Sequence, residues 1–366
     1  MSIQRFSWKN QLNPGKLPTA CIVRYGAFGD TVQAMSMVAQ LKKEGWHVTF
    51  IGQHPSHEVV IHDPNIDRLI IQTMNQIPIA QLGFFWAFFA NKGAPGGKPF
   101  DRWINLTESV EANLLAIPGN VRFHWPAKAR HELMNFNYLE HQHRLAKVEY
   151  VPSFTFYSTA EEKDWRNRER EKMRKAGIEK YVLWPIAGSS RTHKVYPYAQ
   201  KIWEHVMHHY PTWGVLTVGD PTCTEVEKGF EGKPRMWLTS GKYTIRQVFL
   251  MMETADVVIG PETGVMSAAA FYPMPKICLL THSTIENLTR DWVNCTSIWA
   301  PKTHCPGRGA NEVAACHLML PSFEGCRQNP ETGVSQCSTE TQPEWVWAAL
   351  QECMNTGKAP TWSPPA

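Results

Sequence analysis

The stretch ACIVRYGAFGDTVQAMSMVAQLKKEGWHVTFIG, residues 20–52, decides how the chain is read. Cys21, Ile22 and Val23 form a short apolar run of the kind buried in a parallel sheet. Gly26-Ala27-Phe28-Gly29-Asp30 follows. Two glycines three apart let the backbone turn sharply and let a ligand approach it closely. Asp30 stands where a helix N-cap is expected. Val32, Met35, Val38 and Leu41 recur every three residues, which marks one helical face. Gly45 stops that helix, and His47 to Ile51 is the next strand. A carboxylate is thereby set at the edge of a parallel sheet, where α/β proteins bind ligands. The pattern is G-x-x-G-D and lacks the G-x-G-x-x-G of a dinucleotide fingerprint. Two readings of Asp30 stand side by side. It is a helix cap accepting backbone N–H groups, or a general base at the end of the strand.

The alternation continues outward. Leu69-Ile70-Ile71 and Trp103 to Leu106 are further short strands. Between them, Gly83 to Phe89 is strongly aromatic and runs into the loop Asn91 to Pro99. A buried helix with its exit loop is the plain expectation, because the run has no charged face. An acceptor-site or membrane-surface flap is the other reading. Near Val151-Pro152 the alternation pauses. Ser158 and Glu161 match a capping box, and the densely charged helix after them, about 160–176, reads as solvated. Strands at 181–184, 214–218, 256–260 and 276–280 then alternate with helices, one opened by a Thr244/Gln247 capping box. Single helices between strands imply parallel pairing with right-handed crossovers. The expected fold class is α/β, with two Rossmann-like domains facing a cleft. The expected division is 1–155, a charged helical linker 156–178, a second domain 179–343, and a terminal helix and tail 344–366 returning to the first domain.

A chain of 366 residues, 43% hydrophobic and 19% charged, has material for two packed cores and is not disordered. A net charge of +4 is too mild to argue for a nucleic-acid binder by itself. The first eighteen residues lack the apolar core of a secretory signal, and the most apolar window, Ile77 to Ala90, is too short to span a bilayer. A cytoplasmic location is expected. Cysteines such as Cys21 and Cys278 fall in buried strands and read as reduced core residues.

Two loops in the second half stand at strand ends. Gly188-Ser189-Ser190-Arg191-Thr192-His193-Lys194 offers hydroxyls, backbone donors and two cations before a helix, which suits a phosphate. Glu262-Thr263-Gly264 precedes another helix, whose exposed N–H groups at Val265 and Met266 suit an anion. Either loop alone is also an ordinary polar connection.

In this order the three segments resemble the heptosyltransferases of glycosyltransferase family 9. The resemblance lies in Ile22-Val23-Arg24 leading to Gly29-Asp30, in Ser189, Ser190 and Lys194 followed by Tyr196-Pro197, and in Glu262-Thr263-Gly264. Cys337, Pro343-Glu344 and Val346 at a terminal helix are similar too. The likeness spans roughly 20–350 and is thin in 75–150. Two positions depart from the family. It usually has Asp where this chain has Glu262, and His where this chain has Ser267.

The resemblance implies a GT-B enzyme that inverts the anomeric carbon. The donor would be a nucleotide-diphosphate sugar and the acceptor a hydroxyl, such as one on lipopolysaccharide core. Asp30 would be the base. Gly26, Phe28 and Gly29 would form the acceptor-side turn. Ser189, Ser190, Arg191, Lys194, Glu262, Thr263, Gly264 and Ser267 would bind the donor and stabilise the leaving diphosphate. No cofactor is expected. The chain has no D-x-D triplet to hold a divalent metal. Cys305, Cys316, Cys326 and Cys337 are spaced unlike a standard zinc site, and either a structural metal or an ordered loop would account for them. Two other functions remain open: transfer to another acceptor such as a hydroxylated DNA base, and nucleotide-sugar binding without catalysis. Peripheral membrane contact is a further expectation, and nucleic acid is a partner only under the DNA reading.

Overall fold

A computed structural model of the chain describes residues 7–8, 17–73, 76–107, 125–126, 129, 136–188, 194–300 and 328–363. These fall into two compact units. The first holds the described residues up to 107 together with Tyr138–Tyr157. The second holds the described residues among 125–137 and those from Ser158 onward.

In the first unit the chain forms β1 (Ser7–Trp8), β2 (Thr19–Arg24), α1 (Phe28–Lys43), β3 (His47–Gln53), β4 (Arg68–Gln72), α2 (Ile79–Lys92), β5 (Arg102–Asn105) and α3 (Tyr138–Ala146). The sheet order is β1-β4-β3-β2-β5. All pairings are parallel except that of β1 with β4. Every residue of β2 is buried, which is why its apolar run is continuous rather than alternating. α1 buries the expected Val32, Met35, Val38 and Leu41, with Ala34 and Met37 beside them. From β2 the chain builds β3 and β4 on one side and β5 on the other. The strand order therefore reverses between β2 and β5, and such a reversal opens a crevice at the carboxyl ends.

The aromatic segment is helical, but the buried-helix expectation holds for only one of its faces. Phe89 packs on Phe100 and Trp103, and Trp86 packs on Tyr25. Phe84 and Phe88 point to solvent, 80% and 67% exposed.

The second unit contains α4 (Ala160–Lys175), β6 (Lys180–Pro185), α5 (Ala199–His209), β7 (Trp213–Val218), β8 (Met236–Leu238), α6 (Ile245–Met252), β9 (Val257–Pro261), α7 (Gly264–Ala269), β10 (Lys276–Leu279), β11 (Cys295–Ile298) and α8 (Pro343–Thr356). Its sheet is parallel throughout, in the order β11-β10-β9-β6-β7-β8. The reversal here lies between β6 and β9. Strands β8 and β11 were not anticipated. β8, Met-Trp-Leu, is apolar but only three residues long, and β11, Cys-Thr-Ser-Ile, is interrupted by two polar residues.

The charged helix is not a linker. Its cap is Thr159 with Glu162, one residue later than the expected pair. Arg246 of α6 pairs with Glu162, and Arg166 pairs with Glu253. Tyr243 Oη and Trp237 Nε1 both donate to Glu169, at 2.6 and 3.1 Å. α4 thus docks through charges and hydrogen bonds, which leave no apolar stripe to read. The terminal helix also differs from expectation. Val346, Ala349, Leu350 and Cys353 of α8 join the core of the second unit, with Trp184, Trp203, Val215 and Ile277. Their spacing of three and four makes one apolar face, and α5, β10 and β11 cover it.

Trp203 is fully buried and meets Trp184 and Phe230 edge to face. Replacing it by Ala removes an indole from a closed core. The expected loss is about 3–5 kcal/mol of unfolding free energy, read by urea denaturation followed by circular dichroism.

Candidate active site

In the first unit the glycine turn joins β2 to α1. Gly26 has φ +113°, a region that favours glycine. A Cβ there would lie 2.6 Å from Asp30 Oδ2, so the turn is closed tightly over the carboxylate. Ser56 Oγ donates to the Gly26 carbonyl at 2.7 Å, and the Gly26 N–H reaches Gln53 Oε1 at 3.3 Å. Phe28 begins α1 and Gly29 is buried behind it. Asp30 is not the N-cap, which is Ala27. It stands three residues inside and reaches back, Oδ2 accepting the Ala27 N–H at 2.9 Å. Its other oxygen, Oδ1, lies 2.8 Å from Arg24 Nη2. Arg24 ends β2 with its side chain buried, and its Nη1 donates to the Leu106 carbonyl at 2.8 Å. The guanidinium thus ties Asp30 to the end of β5. About a third of the Asp30 side chain, 32%, still faces solvent. The result is an oriented carboxylate with both oxygens anchored and lone pairs to spare.

In the second unit the two polar loops leave β6 and β9, the neighbouring strands at the reversal. Ser189, Ser190 and Arg191 lie outside the described residues. Lys194 is described and half-buried. Its side chain lies across Gly188, where a Cβ would meet Lys194 Cδ at 2.6 Å and Thr263 Cγ2 at 3.5 Å. The two loops therefore touch through Gly188, Lys194 and Thr263. Thr263 caps α7, its Oγ1 accepting the Met266 N–H at 3.4 Å. Gly264 begins that helix, and Ser267 Oγ turns back to donate to the Thr263 carbonyl at 3.2 Å.

Glu262 is buried and saturated with donors. Its Oε1 accepts the N–H groups of Thr281, His282 and Ser283 at 2.6, 3.1 and 3.2 Å. Its Oε2 lies 2.8 Å from His282 Nδ1. Burial by itself would raise this carboxyl. His282, Lys194 and the Thr281 N–H outweigh burial and hold it well below the usual carboxylate range. Glu262 fastens the turn after β9 to the loop after β10, and Lys194 stands near enough to feel its charge.

Cys305, Cys316 and Cys326 lie outside the described residues. Cys337 is buried, with its Sγ 3.4 Å from Ser335 Oγ and 3.9 Å from the Thr281 carbonyl. No three metal-ligating side chains gather among the described residues. Three contributors were given no site role in the sequence reading, although Arg24 stood in the motif that carried the resemblance. Arg24 had a signal, being the one charged residue at the end of an apolar strand. His282, in the polar Thr281 to Thr284 loop at a strand end, had a weaker one. Ser56, thirty positions from the turn it holds, had none.

No protein-family model matches this chain, and no curated protein matches it. Solved structures match it in fold. The ADP-heptose lipopolysaccharide heptosyltransferase II of E. coli superposes with a TM-score of 0.61 at 12% identity, covering 93% of this chain and 99% of that one. A family 9 glycosyltransferase from Veillonella parvula gives 0.58 at 14% identity, covering 77% and 85%. The dodecameric iron-containing heptosyltransferase TibC, solved with ADP-D-β-D-heptose, gives 0.52 at 9%, covering 93% and 75%. The likeness to family 9 heptosyltransferases read from the sequence is thus matched in the fold, an α/β fold with two sheets, one parallel throughout and one parallel except for its short edge strand β1.

The depressed Glu262 carboxyl has a consequence for stability. A carboxyl held below its ordinary value of 4.5 contributes fully above that value and loses its contribution as pH falls toward the folded one. Glu262→Gln is expected to cost about 2–3 kcal/mol at neutral pH, since donors aimed at a carboxylate then face an amide. Thermal melts from roughly pH 7 to pH 3 should show a shallower acid limb in the variant than in the wild type.

Proposed function

We propose that this protein is an inverting glycosyltransferase. It moves a sugar from a nucleoside-diphosphate donor to an acceptor hydroxyl, best matched by one on a cell-surface glycan such as lipopolysaccharide core. The observation that carries the reading is the meeting of two loops at the β6/β9 reversal, where the Lys194 and Thr263 side chains both border Gly188. The shared fold with heptosyltransferase II of E. coli supports it.

The chemistry assigns each group a task. The acceptor oxygen attacks the anomeric carbon as its proton passes to Asp30. The new glycosidic bond forms on one face while the bond to the diphosphate breaks on the other, which inverts the centre. The departing diphosphate takes the electron pair and gains charge. Lys194, with Ser189, Ser190, Arg191 and Thr263, would hold it. Gly264 lets the phosphate approach the backbone, and Ser267 steadies the turn. Gly26, Phe28 and Gly29 shape the acceptor side. Glu262 acts indirectly in this scheme. Its carboxylate is spent on the Thr281–Ser283 loop, so it positions the pocket rather than receiving a proton. Arg24 likewise fixes the direction of Asp30.

Two substitutions test the scheme. Lys194→Ala should weaken binding of ADP, used as the probe, by about 1–3 kcal/mol in calorimetry. Unchanged affinity would remove the phosphate-holding role. Asp30→Asn keeps the shape but turns an amide toward either Arg24 or the Ala27 N–H, so melting temperature should fall modestly. Transfer from ADP-heptose or another nucleotide sugar should fall by roughly 10²–10⁴ at equal folded protein. Transfer within a few-fold of wild type would make Asp30 a turn-holding residue only. A wild type that binds nucleotide sugar and never transfers it would favour a binding protein instead.

A further inference from the structure

The helix α2 carries its aromatic residues on two opposed faces. Trp86 and Phe89 hold it to the sheet, and Arg68 fastens its end by donating to the Gly93 carbonyl at 2.6 Å. Phe84 and Phe88, one helical turn apart, stand outward at 80% and 67% exposure. Lys92 continues the same line at the next turn and is exposed. Lys98, in the loop that follows, is exposed as well. From residue 68 to residue 100 the chain contains no Asp or Glu. Two outward phenyl rings with Lys92 and Lys98 at their rim form a patch of defined chemistry, with exposed Asp101 beyond Lys98 as the carboxylate that follows in the chain.

We propose that this face of α2 docks on an anionic lipid surface. Phenyl rings enter the boundary between headgroups and acyl chains, while lysines at the rim meet lipid phosphates. A second copy of this chain fits less well, because it would set Lys92 and Lys98 against the same cations. Among the described residues no helix is long and apolar enough to cross a membrane. The contact is therefore one of lying on the surface, with the rest of α2 held by the sheet beneath. Phe84, Phe88, Lys92 and Lys98 are not among the residues that anchor Asp30, so the inference stands or falls separately from the reaction proposed above.

The test is co-sedimentation of the full chain with vesicles of phosphatidylcholine, alone or mixed with phosphatidylglycerol. The wild type should sediment with the anionic vesicles, lose most of that binding in high salt, and bind neutral vesicles weakly. Phe84→Ser combined with Phe88→Ser should lower the vesicle partition about tenfold or more, since it removes the inserted apolar groups. Its melting temperature should stay near wild type, because both rings are outside the core. Lys92→Ala with Lys98→Ala should weaken binding to anionic vesicles while leaving binding to neutral ones as it was. Failure of the wild type to sediment with anionic vesicles overturns the proposal. So does binding that survives loss of both phenyl groups. If those same substitutions instead convert a dimer to a monomer in sedimentation velocity, with no vesicle binding, the face belongs to a second copy.

Discussion

Parallel strands joined by right-handed crossovers constrain everything else in this protein. A helix that follows a parallel strand must cover one face of the sheet, and the side it covers depends on whether the next strand is added to the left or right. Where the direction changes, adjacent strands send their helices to opposite faces and their ends are left open. Both sheets have one such place. In the first it is between β2 and β5, and Asp30 follows β2 there, tied to the end of β5 through Arg24. In the second it is between β6 and β9, and the loops bearing Lys194 and Thr263 leave those two strands. The candidate site residues collect at these points because there the backbone leaves room beside rigid strand ends.

The two carboxylates show how placement divides labour. Asp30 has one guanidinium and one N–H for company and remains a third exposed. Glu262 is buried among three backbone N–H groups and an imidazole. A group so saturated has little left for a substrate, but it is well suited to joining two loops. The longer side chain bears on this. Glutamate extends one methylene beyond aspartate, and that length is spent reaching residues 281–283. The departure from the family pattern thus coincides with a structural contact, which bears on pocket shape more than on proton transfer.

Much of the fold was legible because parallel strands announce themselves. β2, β6, β7 and β9 are buried on both faces and carry apolar runs, and β3, buried too, shows Val48, Phe50 and Ile51 among polar residues. The glycine turn and the two polar strand ends were legible for the same reason, lying where such runs stop. Other features had no local signal. α4 docks through Glu162, Arg166 and Glu169, so its sequence looks solvated although Glu169, Arg170 and Met173 are buried. α8 displays an apolar stripe, but a stripe does not say which sheet will cover it. One of the two sequence readings of Asp30 makes it the helix cap, because Asp is a favoured N-cap residue. The helix begins three residues earlier than a cap at Asp30 would place it, since the carboxylate can serve the Ala27 N–H equally well from inside the first turn.

The aromatic helix shows why hydrophobicity without periodicity is ambiguous. Successive residues on a helix point about 100° apart, so Phe84, Phe85, Trp86, Phe88 and Phe89 surround most of the axis. A helix lying on one sheet can cover only the part of that circumference that faces the strands. Some rings must then stand outside, whatever the sheet offers, unless a second layer closes over them. The choice of Phe89 for the inside follows from Phe100 and Trp103 beneath it, and the choice of Trp86 from Tyr25. Phe84 and Phe88 are outside as a geometrical consequence. In a monomer in water two large exposed rings are a solubility liability, and leucine-free polar positions would serve the helix as well. Their position beside Lys92 and Lys98, in a span without a carboxylate, makes sense once the outward face is taken to have an apolar, negatively charged neighbour.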